Sequence, residues 1–371
     1  LAASTGYAAR RRSWPGEECV LNPSPNPSNL DFSFEERLAR LLAESQGRSL
    51  LGDEALPIYD VLRYHLGQLD ERLQPIGGTA GKRVRPKLCL TCCAAAGGDP
   101  NKAIPVALAI ELLHNFTLIH DDIQDQSQLR RHRPTVWARW GTAQAINAGD
   151  AMFVLAHLAL NQTTELGIPA ETTLRLSAGL HETTLRIVEG QVLDLGFEER
   201  ASVTVAEYLT MIKGKTAALL RHACWAGAVV AGASPDHSLA YGDFGEALGL
   251  AFQIRDDELG VWGDAATTGK TAADDLRRRK KALPLLLLIE RAEARDREAI
   301  AWMMSGKSEL AEDDVRTLLA LMDHYEVREG VAQEGSRWQA RAAKLLQQTN
   351  PAQPAASTLE TLLAELAARS S

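Results

Sequence analysis

Two acidic clusters carry the spacing with the clearest chemistry. The first, Asp121-Asp122-Ile123-Gln124-Asp125, closes an apolar stretch that begins near Pro105. On a helix, Asp121 and Asp125 share one face, a turn apart. Carboxylates so placed repel each other, and a divalent cation resolves the repulsion. Mg2+ suits this arrangement because it takes one or two carboxylates, keeps waters and fills its shell with phosphate oxygens. An EF-hand loop is excluded, since Ile123 and Gln126 stand where Asp or Asn and Gly would be needed. The second cluster, Phe252-Gln253-Ile254-Arg255-Asp256-Asp257-Glu258, also ends an apolar run. Two such helices facing each other would form an acidic rim for a group of Mg2+ ions.

Such a rim implies an anionic ligand, and the chain supplies cations near the clusters and near glycine-containing breaks. They are Lys82, Arg83 and Arg85, Arg130 and Arg131, Lys213 and Lys215, Lys270, and the run 277–281. Alone, that run could be a solvated face or a nucleic-acid patch. Together the cations fit the clamping of a diphosphate, where Arg offers a fork and Lys a point charge.

The elements that must hold these groups read as helices. From Phe34 onward, apolar residues recur at three- and four-residue spacing over 34–44, 58–73, 104–120, 143–160, 171–195, 205–232 and 238–257. Gly97-Gly98-Asp99-Pro100, Gly167-Ile168-Pro169, Gly232-Ala233-Ser234-Pro235 and Thr267-Thr268-Gly269 separate them. No strand-like alternation or fixed repeat is visible. The expectation is one all-α domain over 34–371, a single bundle of about ten or more helices. Residues 1–33, rich in Pro, Ser, Asn and Arg, read as a flexible leader.

Composition narrows the partners. With 40 Lys+Arg against 48 Asp+Glu, the formal charge is −8 over 371 residues, which argues against general nucleic-acid binding. Aromatic residues are 5%, too few for base-stacking platforms. The longest apolar runs noted, 224–233 and 282–289, fall short of the ~18 residues of a transmembrane span. Cys19, Cys89, Cys92, Cys93 and Cys224 show no disulfide framework. The Cys89-x-x-Cys92 pair reads as small core residues, and the chain as one for a reducing, cytoplasmic setting.

At this point the residues resemble a known family, the trans-isoprenyl diphosphate synthases or polyprenyl synthetases. The resemblance runs from about residue 40 to 290. Gly81-Lys82-Arg83-Val84-Arg85-Pro86 looks like its GKRxRP motif, and Glu111-Leu112-Leu113-His114 precedes the DDxxD of 121–125. Arg130-Arg131, Gly190-Gln191 with Asp194, Lys215-Thr216, the start of the second aspartate-rich motif at 252–257, Gly269-Lys270, Asp275-Leu276 and 280–284 follow in the family's order.

The resemblance implies a bundle of long helices around a deep apolar cavity, usually in a homodimer. It implies that Lys82, Arg85, His114 and Arg131 bind isopentenyl diphosphate. It gives Arg130, Lys215, Thr216, Gln253, Lys270 and Lys280 to the allylic diphosphate. Asp121, Asp125 and Asp256 would hold Mg2+, three ions bound with the diphosphate, assisted by Asp122 and Asp257. The product would be a short-chain prenyl diphosphate. Phe116 and Thr117, one turn before Asp121, would form the floor that sets its length, with C20 geranylgeranyl diphosphate expected and C15 farnesyl diphosphate second. At ~1.5 Å rise per residue, Phe116 lies ~7.5 Å along the axis from Asp121. Simple core packing is the other reading of Phe116. Two other functions stay open: a class I terpene cyclase, which needs no isopentenyl diphosphate site, and a non-catalytic regulatory subunit.

Three positions depart from the family pattern. Gly260 stands where the second motif often ends in Asp, which could weaken the metal site. His132 replaces a Gly after the Arg pair, and Ala282 replaces a Thr before Leu-Pro.

Overall fold

The three- and four-residue apolar spacing folds as helices through almost the whole chain. This computed structural model describes residues 27–49, 57–76, 81–263, 273–306 and 308–367. The first helices are α1 (Pro27–Gln46), α2 (Ile58–His65), α3 (Val84–Ala95), α4 (Pro100–Gln124), α5 (Val136–Trp140), α6 (Thr142–Asn161), α7 (Ala170–Glu199), α8 (Val205–Ile212), α9 (Ala218–Val230) and α10 (Pro235–Trp262). They are followed by α11 (Asp274–Arg277), α12 (Leu283–Arg291), α13 (Ala294–Met304), α14 (Glu312–His324), α15 (Val327–Gln348) and α16 (Ala355–Ala367). Helix α1 starts inside the segment read as a leader; residues 1–26 lie outside the described residues.

Local chemistry sets several boundaries. Asp99 accepts a hydrogen bond from the backbone N–H of Asn101, and Pro100 opens α4 with a fixed φ. Ser234 and Pro235 start α10 the same way. Thr204 and Glu207 form a reciprocal capping box on α8.

Helix α4 is the central rod, packed by α3, α6 and α9. Leu108, Ile110, Leu112 and Leu113 are fully buried, each contributing on the order of 1.5–3 kcal/mol. By length and composition α4 could cross a membrane, but 72% of its most apolar window is buried in the protein. It is a core helix. It does not stand out among the apolar runs of the sequence because Glu111, His114, Asn115 and Thr117 interrupt it. Helices α3 and α9 pack backbone to backbone: a Cβ on Gly227 would sit 2.2 Å from the Cys89 carbonyl oxygen. Cys89, Cys92, Cys93 and Cys224 are fully buried there as free thiols, the core role expected of Cys89 and Cys92. A second core gathers α8, the end of α10 and α12 to α15 around Leu283, Ile300 and Leu318.

Two local expectations need correction, and one small hairpin joins the helices. The helix expected over 58–73 ends at His65, because Gly67 takes φ 76° and Leu73 φ 59°, and Leu69 bridges Pro75 instead. The stretch 205–232 is not one helix; a π-helical turn, Lys213–Ala217, joins α8 to α9. A short hairpin pairs β1 (Leu129–Arg130) with β2 (Arg133–Pro134), too brief to show alternation.

Candidate active site

The first acidic cluster ends α4 against α7 and the π turn. Gly190 on α7 and Gly214 in the turn make this possible. A Cβ on Gly190 would lie 2.2 Å from Lys215 N, and one on Gly214 would lie 2.7 Å from the Arg186 carbonyl oxygen. The close approach brings Lys215 Nζ to 2.6 Å from Asp194 Oδ2 and 3.3 Å from Asp121 Oδ1. Burial works against the charge on Lys215, but Asp121 and Asp194 outweigh it and raise its pKa. A π-helical turn placed here fits the frequent use of such distortions at functional sites.

Asp122 points inward, 1% exposed. It accepts a fork from Arg130, with Nε at 2.9 Å and Nη2 at 2.8 Å from Oδ1. Burial raises its pKa against the pull of Arg130. Asp125 caps the end of α4, and its pKa is raised to about 6, first by desolvation and then by Asp121. A cation between Asp121 and Asp125 would relieve that repulsion.

The hairpin presents the Arg pair. Its turn residues Arg131 and His132 adopt φ 52° and 60°. Tyr64 Oη donates to the Pro134 carbonyl, and Arg133 donates to that of Leu69. His132 therefore takes a left-handed conformation at the turn, at the steric cost that this carries for an L-residue.

A cavity of about 250 Å3 opens beside it, lined by Lys82, Arg83, Arg85, Glu111, His114 and Arg131, with Leu220 and Phe252 as apolar wall. Arg85 Nη1 lies 3.1 Å from His114 Nε2. Burial, then Arg85, Arg130 and Arg131, push the His114 imidazole well below its usual range, so it is neutral and accepts from Arg85. Arg83 is held inside by Glu111 at 2.6 Å and Glu35 at 3.0 Å. It is the scaffold of the motif, and it leaves Lys82 and Arg85 on the cavity wall.

The second cluster is organised around Asp257, 2% exposed. Tyr208 Oη donates to Oδ2, Gln253 Nε2 to Oδ1 at 3.0 Å, and the Leu283 backbone N–H to Oδ2 at 3.3 Å. Thr216 Oγ1 donates to Gln253 Oε1 at 2.7 Å, so the Lys-Thr pair is hydrogen-bonded to this network. Lys280 Nζ lies 4.0 Å from Asp257 Oδ1 and 3.7 Å from Asp275 Oδ2. Desolvation opposes its charge, but Asp275, Asp257, Asp194 and Asp256 together hold it protonated far above an ordinary lysine. Asp194 pairs with Lys215, and the Thr216–Gln253 hydrogen bond next to Lys215 ties the first acidic cluster to the second. Asp256 is exposed beside Asp257.

The rest of the basic run is structural. Arg277 pairs with Glu312, Arg278 with Asp274, and Arg279 and Lys281 donate to backbone carbonyls. Lys270 lies outside the described residues. Phe116 is half-buried, edge-on to His120 and tilted against Phe153 at 5.1 Å. Thr117 returns its hydroxyl to the His114 carbonyl at 2.7 Å.

Sequence reasoning quoted Asp194 without giving it a role and missed Tyr208. Asp194 could have been found by its spacing from Gly190. Tyr208 sits in an apolar helix with no local sign of its partner. The donor set along the rim is carboxylate oxygen, suited to a hard cation. Among the described residues no three His, Cys, Asp or Glu side chains are gathered closely enough to hold a metal ion by themselves.

Residues 68–322 match the family described as polyprenyl synthetase. A (2E,6E)-farnesyl diphosphate synthase of Mycobacterium tuberculosis is 42% identical over 71% of this chain and 72% of its own length. A geranylgeranyl diphosphate synthase of the same organism is 39% identical over 72% of this chain and 75% of its own. The crystal structure of a polyprenyl synthetase from Streptomyces coelicolor superposes with a TM-score of 0.80 at 33% identity, covering 91% of this chain and 98% of that one. A geranylgeranyl pyrophosphate synthase from Corynebacterium glutamicum, solved with isoprenyl diphosphate and magnesium, has a TM-score of 0.80 at 28% identity, covering 93% and 100%.

Proposed function

The chain belongs to the polyprenyl synthetase family and is a trans-prenyltransferase, and from that premise we propose that it condenses isopentenyl diphosphate with an allylic diphosphate to give C20 geranylgeranyl diphosphate, with C15 farnesyl diphosphate second. The observation that carries the condensing reading is the cavity shared by Lys82, Arg85, His114 and Arg131, beside the rim that holds Asp121 and Lys215. It supports a second diphosphate site, which a terpene cyclase does not need.

In this reading Lys82, Arg85 and Arg131 bind the diphosphate of isopentenyl diphosphate, and neutral His114 keeps Arg85 oriented. Lys215, Thr216, Gln253, Lys270 and Lys280 hold the allylic diphosphate, with Arg130 braced on Asp122. Asp121, Asp125 and Asp256 hold Mg2+, three ions in all. Mg2+ supplies charge neutralisation for the leaving diphosphate. The allylic C–O bond breaks with its electron pair leaving on the diphosphate, and Lys215 and Lys280 stabilise that charge. The double bond of isopentenyl diphosphate, held in place, attacks the allylic carbon. Loss of a proton, taken by the departed diphosphate, gives an allylic product five carbons longer. The apolar interior keeps water from the cation.

Phe116 as the floor supports the C20 product. Phe116→Ala should lengthen the product, read by chromatography of the dephosphorylated prenols; an unchanged length removes Phe116 from this role. A homodimer belongs to the same reading. Val154 and Leu158 on α6, with Leu185, Val188 and Val192 on α7, form an exposed apolar face suited to a second copy. The buried thiols support a reducing, cytoplasmic setting.

The deciding experiment supplies purified protein with Mg2+, isopentenyl diphosphate and each of dimethylallyl, geranyl and farnesyl diphosphate in turn, with products identified by mass. A requirement for isopentenyl diphosphate is expected. Cyclic hydrocarbon from an allylic diphosphate alone would overturn the reading in favour of a cyclase, and no turnover at all would favour a regulatory subunit.

A further inference from the structure

The second acidic cluster lacks its final carboxylate, because Gly260 stands at that position on α10. The space beside Gly260 is nevertheless filled. A Cβ on Gly260 would lie 2.3 Å from Asp275 Oδ2 and 2.6 Å from Asp275 Cγ. Asp275 comes from α11, outside the motif, and is 5% exposed. Its Oδ2 reaches to 3.7 Å from Lys280 Nζ, on the ammonium that Asp257 also approaches.

Asp275 has little room to retreat. Its side chain has only two rotatable bonds, and its backbone is pinned. The Lys280 N–H donates to the Asp275 carbonyl at 2.9 Å, and the Leu310 N–H to that of Arg277 at 2.9 Å. Leu276 beside it is 1% exposed. Pushing the carboxylate aside would therefore disturb its contact with Lys280.

We propose that Asp275 stands in for the carboxylate that the second acidic motif lacks at Gly260, delivered from α11 into the space that glycine leaves, and that it positions Lys280 for the allylic diphosphate. Gly260 is then a requirement of this site and not a loss. The inference rests on the reading of the site given above. It has an unexpected consequence: restoring the absent aspartate with Gly260→Asp damages the site, because two carboxylates compete for one space beside one lysine.

The test uses the full chain and four proteins: parent, Gly260→Asp, Asp275→Asn and the exchange Gly260→Asp with Asp275→Ala. Calorimetry measures the binding of inorganic pyrophosphate in the presence of Mg2+. Steady-state kinetics separates KM for the allylic substrate from KM for isopentenyl diphosphate, and thermal melts without ligand report the fold. Gly260→Asp should weaken pyrophosphate binding and raise the allylic KM about tenfold or more, since small misplacements of a charged clamp are costly. The KM for isopentenyl diphosphate should stay unchanged. Asp275→Asn should act in the same direction, and the exchange should recover most of the loss. A general loss of structure would move both KM values and the melt together. Should Gly260→Asp fail to fold, Asp275→Asn and the exchange decide the matter. Parent-like pyrophosphate affinity and allylic KM in Gly260→Asp, or in Asp275→Asn, overturn the inference while leaving the reading of the site intact. A parent that binds no magnesium pyrophosphate overturns both.

Discussion

Asp121 is the residue on which the site turns. It is 22% exposed at its side chain, 3.3 Å from Lys215 and 3.9 Å from Arg130, so it meets both cations of the first cluster. Removing its carboxylate touches no buried apolar contact. Asp121→Ala should cut kcat by about a hundredfold or more and leave the melting temperature nearly unchanged. Near-normal turnover at saturating Mg2+ would contradict the assignment. At this scale much was legible, because Asp121, Asp125, Lys215 and the Arg pair announce themselves by type and spacing. The inward turn of Asp122 and Asp257 was not. Both are carboxylates in a motif, and only their burial against Arg130 and against Tyr208 separates them from their exposed neighbours. The contact between Gly260 and Asp275 was hidden for the same reason, since the two lie on different helices.

Elements decide how those residues are aimed. The π-helical turn carries Lys215 and Thr216 between α7 and α10, and its closeness to α7 depends on Gly214 facing Gly190. Gly214→Ala would set a Cβ 2.7 Å from a backbone oxygen that cannot easily give way. The turn should shift and carry Lys215 off Asp121, lowering kcat by on the order of tenfold to a hundredfold with the helix content of the circular dichroism spectrum retained. Wild-type kcat in a folded Gly214→Ala protein would show that the close approach is not needed. At α12, Ala282 is the N-cap and makes no side-chain cap. Ala282→Thr should add about 1 kcal/mol of stability, the usual worth of such a cap, measured by urea unfolding. The substitution looked minor in the sequence, and the unfilled cap makes its effect measurable. Apolar periodicity revealed most helices. It overran α2 because Leu66, Leu69 and Leu73 continue the spacing past Gly67, and periodicity alone does not register a left-handed glycine.

Across the whole molecule, the buried core sets the response to acid. His222 is 3% exposed, and burial, followed by Arg221, lowers its pKa to about 3. The folded protein keeps it neutral, while the unfolded chain protonates it near 6.5, the ordinary value of a histidine. The unfolded state then binds more protons, so stability falls as pH drops from about 6.5 toward 3, by up to about 1.4 kcal/mol per pH unit. His222→Phe should flatten that slope between pH 6 and 4 in urea unfolding measured across pH, and an unchanged slope would refute the assignment. Ligand linkage works in the opposite sense at the rim. Mg2+ with pyrophosphate should raise the melting temperature, because the folded protein alone gathers the carboxylates and lysines that bind it.

The sequence by itself determined the helical class, the order of the motifs and the chemical kind of the site. Those follow from periodicity along one chain and from residue types at fixed local spacing. Only the tertiary structure decided which carboxylates face the rim and which are buried struts. It alone placed Asp194 on Lys215 and put Asp275 in the space beside Gly260. Such choices depend on contacts between residues tens of positions apart, and their geometry is set by how closely α7, α10 and the π turn can pack.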